Sequence, residues 1–136
     1  RCRGFNSDQR IYVPTTGLYT YPDGGLVCGP MELHTDRMAL RNPVLLFEVL
    51  SPATREYDRG AKREHYQTIP SLRHLLLVDQ PERVVWHWRR GAEGGWTMRE
   101  IREGELELDD LGGRVALDEL YPPEEALAER DESDEK

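Results

Sequence analysis

Short runs of apolar and aromatic positions separated by polar turn residues near the start of the chain predict strands rather than helices. Residues 10–13 and 18–21 read as two strands around the turn Pro14-Thr15-Thr16-Gly17. Residues 25–28 read as a third, opened by Pro22-Asp23-Gly24 and closed by Gly29-Pro30. Residues 31–42 are mixed and polar, which predicts loop with a short helical turn. The pattern then changes. Val44-Leu45-Leu46-Phe47-Glu48-Val49-Leu50 is apolar at every position but one and ends at Ser51-Pro52. A run of that length between prolines predicts a strand covered on both faces, near the centre of a sheet.

Residues 58–69 suit a helix, with Asp58 as its N-cap and Pro70 as its stop. Residues 74–78 form a second apolar strand, and after Asp79-Gln80-Pro81-Glu82 residues 84–88 run back as its hairpin partner. Residues 96–101 and 105–108 predict further strands, with Gly94-Gly95 and Glu103-Gly104 as turns, and residues 115–120 a short helix. Strands, one helix and then strands predict an α/β (α+β) domain with a mixed sheet.

The chain has 136 residues, enough to bury a substantial single core. Its charge of −8 counts at first against a nucleic-acid partner. Between Pro122 and Lys136, however, seven acids face two bases, which leaves residues 1–121 at only −3. The reading is therefore a nearly neutral core over 1–121 and a solvated acidic tail over 122–136. Charge thus neither supports nor excludes DNA. No apolar run approaches the roughly 20 residues that span a bilayer, and no secretory leader opens the chain. Because it begins at Arg1, it is expected to be a fragment of a longer product. Cys2 and Cys28 lack the spacing of a zinc site and make a sparse disulfide framework, so both are expected to be free thiols in a reducing cytoplasm.

The chemistry centres on Glu48. On a strand it shares a face with Val44, Leu46 and Leu50, and a carboxylate there is costly unless paired, protonated or holding a cation. The duller reading puts it at a wet strand end or against a structural arginine. Asp23, in Pro22-Asp23-Gly24-Gly25, is by itself good turn chemistry. It gains interest from the carboxylate-bearing strand that follows. Asp58, Lys62 and Tyr66 recur at steps of four and share a helix face. An ordinary Asp58–Lys62 helix pair explains that spacing, but not why the helix follows Glu48 so closely.

Tyr21-Pro22-Asp23, Phe47-Glu48-Val49-Leu50-Ser51-Pro52-Ala53-Thr54, Tyr57-Asp58-Arg59-Gly60-Ala61-Lys62-Arg63-Glu64-His65-Tyr66 and Leu77-Val78-Asp79 together resemble the Uma-type endonucleases of the PD-(D/E)XK, or restriction-endonuclease-like, superfamily. The resemblance runs from about Tyr19 to about Tyr121. It implies a mixed central β-sheet flanked by helices, and a family N-terminal helical region that is expected to be missing from this fragment. It also implies a Mg²⁺-dependent (or Mn²⁺-dependent) endodeoxyribonuclease that hydrolyses DNA phosphodiester bonds. Asp23 and Glu48 match the two acids of the motif, and the Val49 carbonyl is a third oxygen ligand. The superfamily lysine usually stands two residues after the second acid, where this chain has Leu50. The resemblance gives that role to Lys62 on the helix, with Asp58 and Tyr66 in support.

Oxygen donors of this kind suit a hard cation that keeps several waters. Arg55, Arg59 and Arg63 are candidates for the DNA backbone or, equally, ordinary surface charges. Trp86 and Trp88 share a strand face and read as sheet packing or a dimer surface, and Asp79 reads as a turn residue or, at the end of its strand, a fourth site residue. His34, His65 and His74 show no ligand spacing. The rival to a nuclease is a catalytically silent domain of the same fold that binds DNA or oligomerises. A homodimer is a further expectation, since double-strand cutters of this fold pair two sites.

Overall fold

The computed structural model describes residues 1–35 and 38–121. The chain folds as two compact units that divide between Glu100 and Ile101. The predicted acidic tail from Pro122 lies outside the described residues.

The first unit is built on a six-stranded mixed sheet. In chain order its strands are β1 (Cys2–Asn6), β4 (Gly24–Cys28), β6 (Leu45–Val49), β7 (His74–Val78), β8 (Val85–Arg90) and β9 (Trp96–Ile101), and they lie side by side in that order. Three short strands, β2 (Arg10–Tyr12), β3 (Tyr19–Thr20) and β5 (Ala39–Leu40), form a small second sheet. The apolar run around Glu48 is therefore central, as its hydrophobicity predicts, with β4 antiparallel on one side and β7 parallel on the other. The parallel β6–β7 pair needs a crossover, and the helical segment supplies it. The predicted hairpins 10–13/18–21 and 74–78/84–88 both form.

That helical segment differs from the single helix expected. It is two short helices, α1 (Arg55–Arg59) and α2 (Ala61–Gln67), broken at Gly60. Asp58 is consequently not an N-cap but a buried residue in the last turn of α1. The end of α2 is tied to β8, because Arg90 donates to the carbonyls of Pro70 and Gln67, each at 2.7 Å. Opposite, the β2–β3 turn is tied to α2 through Thr16 and His65, 2.9 Å apart. Between helices and sheet lies the core, including Ile11, Leu46, Leu50, Tyr66, Ile69, Leu75 and Leu77. Trp86 and Trp88 pack with it rather than facing outward.

Two further expectations are corrected. Among the described residues of 31–42, the regular structure is β5, and no helix is present. Cys2 and Cys28 are not free thiols; they form a disulfide. They are direct partners in the β1–β4 register, which brings their side chains within bonding reach. The β1 strand that brings them together has no alternating pattern to announce it, since all its residues but Phe5 are exposed.

Glycine has a packing reason in β4. Gly24 lies opposite Phe47 and Gly25 opposite Phe5. A Cβ on Gly24 would come within 2.7 Å of the Phe47 ring, and one on Gly25 within 2.6 Å of the Phe5 ring and onto the Leu45 carbonyl. The rings thus fill the space the missing side chains leave.

In the second unit, β10 (Glu105–Leu108) and β11 (Gly113–Ala116) pair as a hairpin across a 3₁₀ turn, Asp109–Leu111. The helix α3 (Leu117–Leu120) starts two residues later than predicted, because Val115 and Ala116 pair in β11. Glu119 accepts the Ala116 N–H at 2.8 Å and so caps that helix.

Candidate metal centre

Glu48 points from β6 towards α2 and is 5 % exposed. Two donors meet its carboxylate, and both meet the same oxygen. Lys62 Nζ lies 2.8 Å from Oε2, and the Tyr66 hydroxyl donates to Oε2 at 2.6 Å. Among the described residues nothing donates to Oε1. Burial pushes the Glu48 carboxyl above the usual carboxylate range; Lys62 and Tyr66 oppose that rise, and the nearby Asp23 charge adds to it. Tyr66 is pushed far above its ordinary value by burial and by Glu48, so it remains an O–H donor. Thr20 Oγ1, 3.4 Å from the Tyr66 hydroxyl, completes the chain at its far end.

Asp23 occupies the first position before β4. Extending the Gly24–Phe47 pair by one step puts it opposite Glu48. Its Oδ2 accepts the Val49 N–H at 2.6 Å. In an extended strand a residue's N–H and C=O point to the same side, so the Val49 carbonyl also faces Asp23. The Asp23 side of the site is exposed while the Glu48 side is buried. Like Glu48, Asp23 uses one oxygen within the protein and keeps the other free of described donors.

Lys62 stands between two acids, 2.8 Å from Glu48 and 3.8 Å from Asp58. The step-of-four spacing survives the break at Gly60, and the three side chains converge as that spacing predicts. The structure therefore brings together Asp23, Glu48, Val49, Asp58, Lys62 and Tyr66. It does not bring the arginines into that cluster. Arg55 pairs with buried Asp79 at 2.7 Å. Arg63 donates to the Arg59 carbonyl at 2.6 Å and to Gln67 at 2.8 Å, and stacks on Trp88. Arg59 stacks on Trp86. Thr20 carries no signal in the sequence. Its role depends on a hairpin laid against α2, which a lone threonine beside Tyr21-Pro22-Asp23 does not announce.

No group of three or more His, Cys, Asp or Glu side chains that could hold a metal occurs among the described residues. The donor set is instead two carboxylates, each with one oxygen unclaimed, beside a main-chain carbonyl. These are oxygen donors of the kind a hard cation takes, with neither thiolate nor imidazole described among them.

A mixed sheet with one acid on a central strand and another just before the neighbouring strand, and a lysine brought to the first by the crossover helix, defines a domain of restriction-endonuclease-like fold. A solved structure similar in fold, a "putative nuclease belonging to DUF820" from Anabaena variabilis, matches at a TM-score of 0.65 and 15 % identity, over 88 % of this chain and 68 % of that one. The chain belongs to the Uma2 family, whose description is "putative restriction endonuclease" and whose model matches residues 1–118. Two uncharacterized proteins of Synechocystis are 33 % and 32 % identical, over 88 % and 77 % of this chain. The chain spans 63 % and 60 % of their lengths.

Proposed function

We propose that the domain carries a Mg²⁺- or Mn²⁺-dependent endodeoxyribonuclease site, with Asp23, Glu48 and the Val49 carbonyl as metal ligands and Lys62 as the catalytic cation. One observation carries the reading. A buried carboxylate on a central strand has one oxygen pinned by Lys62 and Tyr66 and the other left unclaimed, beside an aspartate divided in the same way. A purely structural ion pair has no need of the second acid. Family membership points to the same chemistry.

A bound cation supplies charge at the phosphate and acidifies a water. The residues do the rest. Tyr66 and Lys62 both hold Glu48 through Oε2, which leaves Oε1 for a ligand. Asp58 holds Lys62 from the other side and keeps its ammonium beside the acids, where it can offset charge that develops on the phosphate. Asp23, fixed by the Val49 N–H, needs no rearrangement to serve as a ligand.

The test is nicking of supercoiled plasmid DNA in Mn²⁺, with Glu48→Gln and Lys62→Met as variants. Nicking by the parent chain that both variants lose supports the proposal. DNA binding without nicking would favour the catalytically silent domain.

A further inference from the structure

The helical segment carries three arginines, Arg55, Arg59 and Arg63, and their surroundings separate them. Arg55 is engaged by Asp79, and Arg63 by the Arg59 carbonyl and Gln67. Arg59 differs. Its guanidinium lies 4.0 Å from the centroid of the Trp86 ring, the residue is exposed, and no hydrogen bond or ion pair with a described residue engages its donors. Stacking occupies the flat face of a guanidinium and leaves its in-plane N–H groups outward, in a fork that matches two phosphate oxygens. It also fixes the side chain before a ligand arrives, which lowers the entropy cost of binding.

The sheet register locates this fork relative to the acids. Glu48 pairs with Leu77, and Leu77 with Trp86, so Glu48 and Trp86 stand in one cross-strand row. They are two strands apart, about 10 Å. Consecutive helices cover that row, α2 placing Tyr66 at Glu48 and α1 placing Arg59 at Trp86. The proposed metal centre and the Arg59 guanidinium therefore lie over one face of the sheet, above strands two apart.

We propose that Arg59, seated over the Trp86 ring, is a phosphate-binding residue that grips the DNA backbone beside the phosphate at the Asp23–Glu48 site. The inference rests on the nuclease reading for the position of the cut, and it adds the residue that holds the flanking strand. Its contact is to backbone, so it contributes affinity and position without sequence preference. Arg55 and Arg63 are assigned to the fold.

Fluorescence anisotropy with a labelled DNA duplex, in Ca²⁺ and over a series of salt concentrations, tests this apart from cleavage. Arg59→Gln is expected to weaken binding about tenfold and to make the plot of log K against log salt shallower by about one unit. Arg63→Gln is expected to leave that slope unchanged. Arg59→Lys keeps the charge but loses the stacked fork, so the slope should hold while affinity falls several-fold. It decides the matter if Arg59→Gln does not fold. An unchanged slope in Arg59→Gln, parent affinity in Arg59→Lys, or no duplex binding by the parent chain would overturn the proposal. Nicking by the parent chain together with an unchanged Arg59→Gln slope removes Arg59 alone. A shallower slope without nicking by any form keeps the phosphate contact and removes the nuclease.

Discussion

Replacing Tyr66 by phenylalanine deletes a hydroxyl and leaves the ring that packs in the core. The deleted group donates to Glu48 Oε2 at 2.6 Å inside a buried site, and its contact with Thr20 at 3.4 Å is weak. A hydrogen bond to a charged group contributes about 1.5–3 kcal/mol. A loss near 2 kcal/mol at neutral pH is therefore expected, or a fall of roughly 5–10 °C in Tm for a chain of this size. Its pH dependence follows from Glu48. Burial raises the Glu48 pKa above its unfolded value, so the protonated carboxyl favours the folded state. That stability is complete below the ordinary glutamate range and is lost as pH rises through the raised value. Tyr66 opposes the rise, so Tyr66→Phe moves the folded pKa further up and extends the loss to higher pH. The variant should thus match the parent most closely in acid and diverge as pH increases. Trp86, Trp88 and Trp96 all lie in the first unit, so urea unfolding followed by tryptophan fluorescence from acid to neutral pH reads the effect where it arises. A deficit that is constant with pH, or below about 0.5 kcal/mol at neutrality, would refute the coupling of Tyr66 to Glu48.

Two other outcomes can be checked in the same way. Lys62→Met leaves Glu48 and Asp58 facing each other without their shared cation, which should cost about 3–5 kcal/mol. Added Mg²⁺ should restore part of that loss in the urea midpoint, because a cation at the acids stabilises the folded form by mass action. The Cys2–Cys28 disulfide closes a loop with a sequence separation of 26, worth about 3–4 kcal/mol on loop-closure grounds. Thiol titration of the unfolded, unreduced chain should find no free thiol, and reduction should lower Tm; two free thiols in the unreduced chain would contradict the pairing.

The central strand and its acid were legible because a seven-residue apolar run can be satisfied in few ways, and Glu48 breaks it where a buried carboxyl must be paired, protonated or ligating. The convergence of Asp58, Lys62 and Tyr66 was legible as a spacing. The break at Gly60 was not, because one glycine costs a helix only about 1 kcal/mol and tertiary packing decides whether the helix continues. β1 escaped notice for a related reason. It is an exposed edge strand whose stability comes from β4 and a covalent bond, not from its own pattern. The arginines looked alike in sequence, whereas Asp79, Gln67 and Trp86 distinguish them in space. The packing reason for Gly24 and Gly25 was not legible because Phe47 and Phe5, which occupy their missing volume, come from distant segments.

Calorimetric titration of Mn²⁺ into the parent chain, Asp23→Asn and Glu48→Gln at neutral pH asks directly whether the two acids share a cation. One site per parent chain, weakened at least about 100-fold in each variant, is the predicted result. Equal binding by parent and variants, or no binding by the parent, would contradict it.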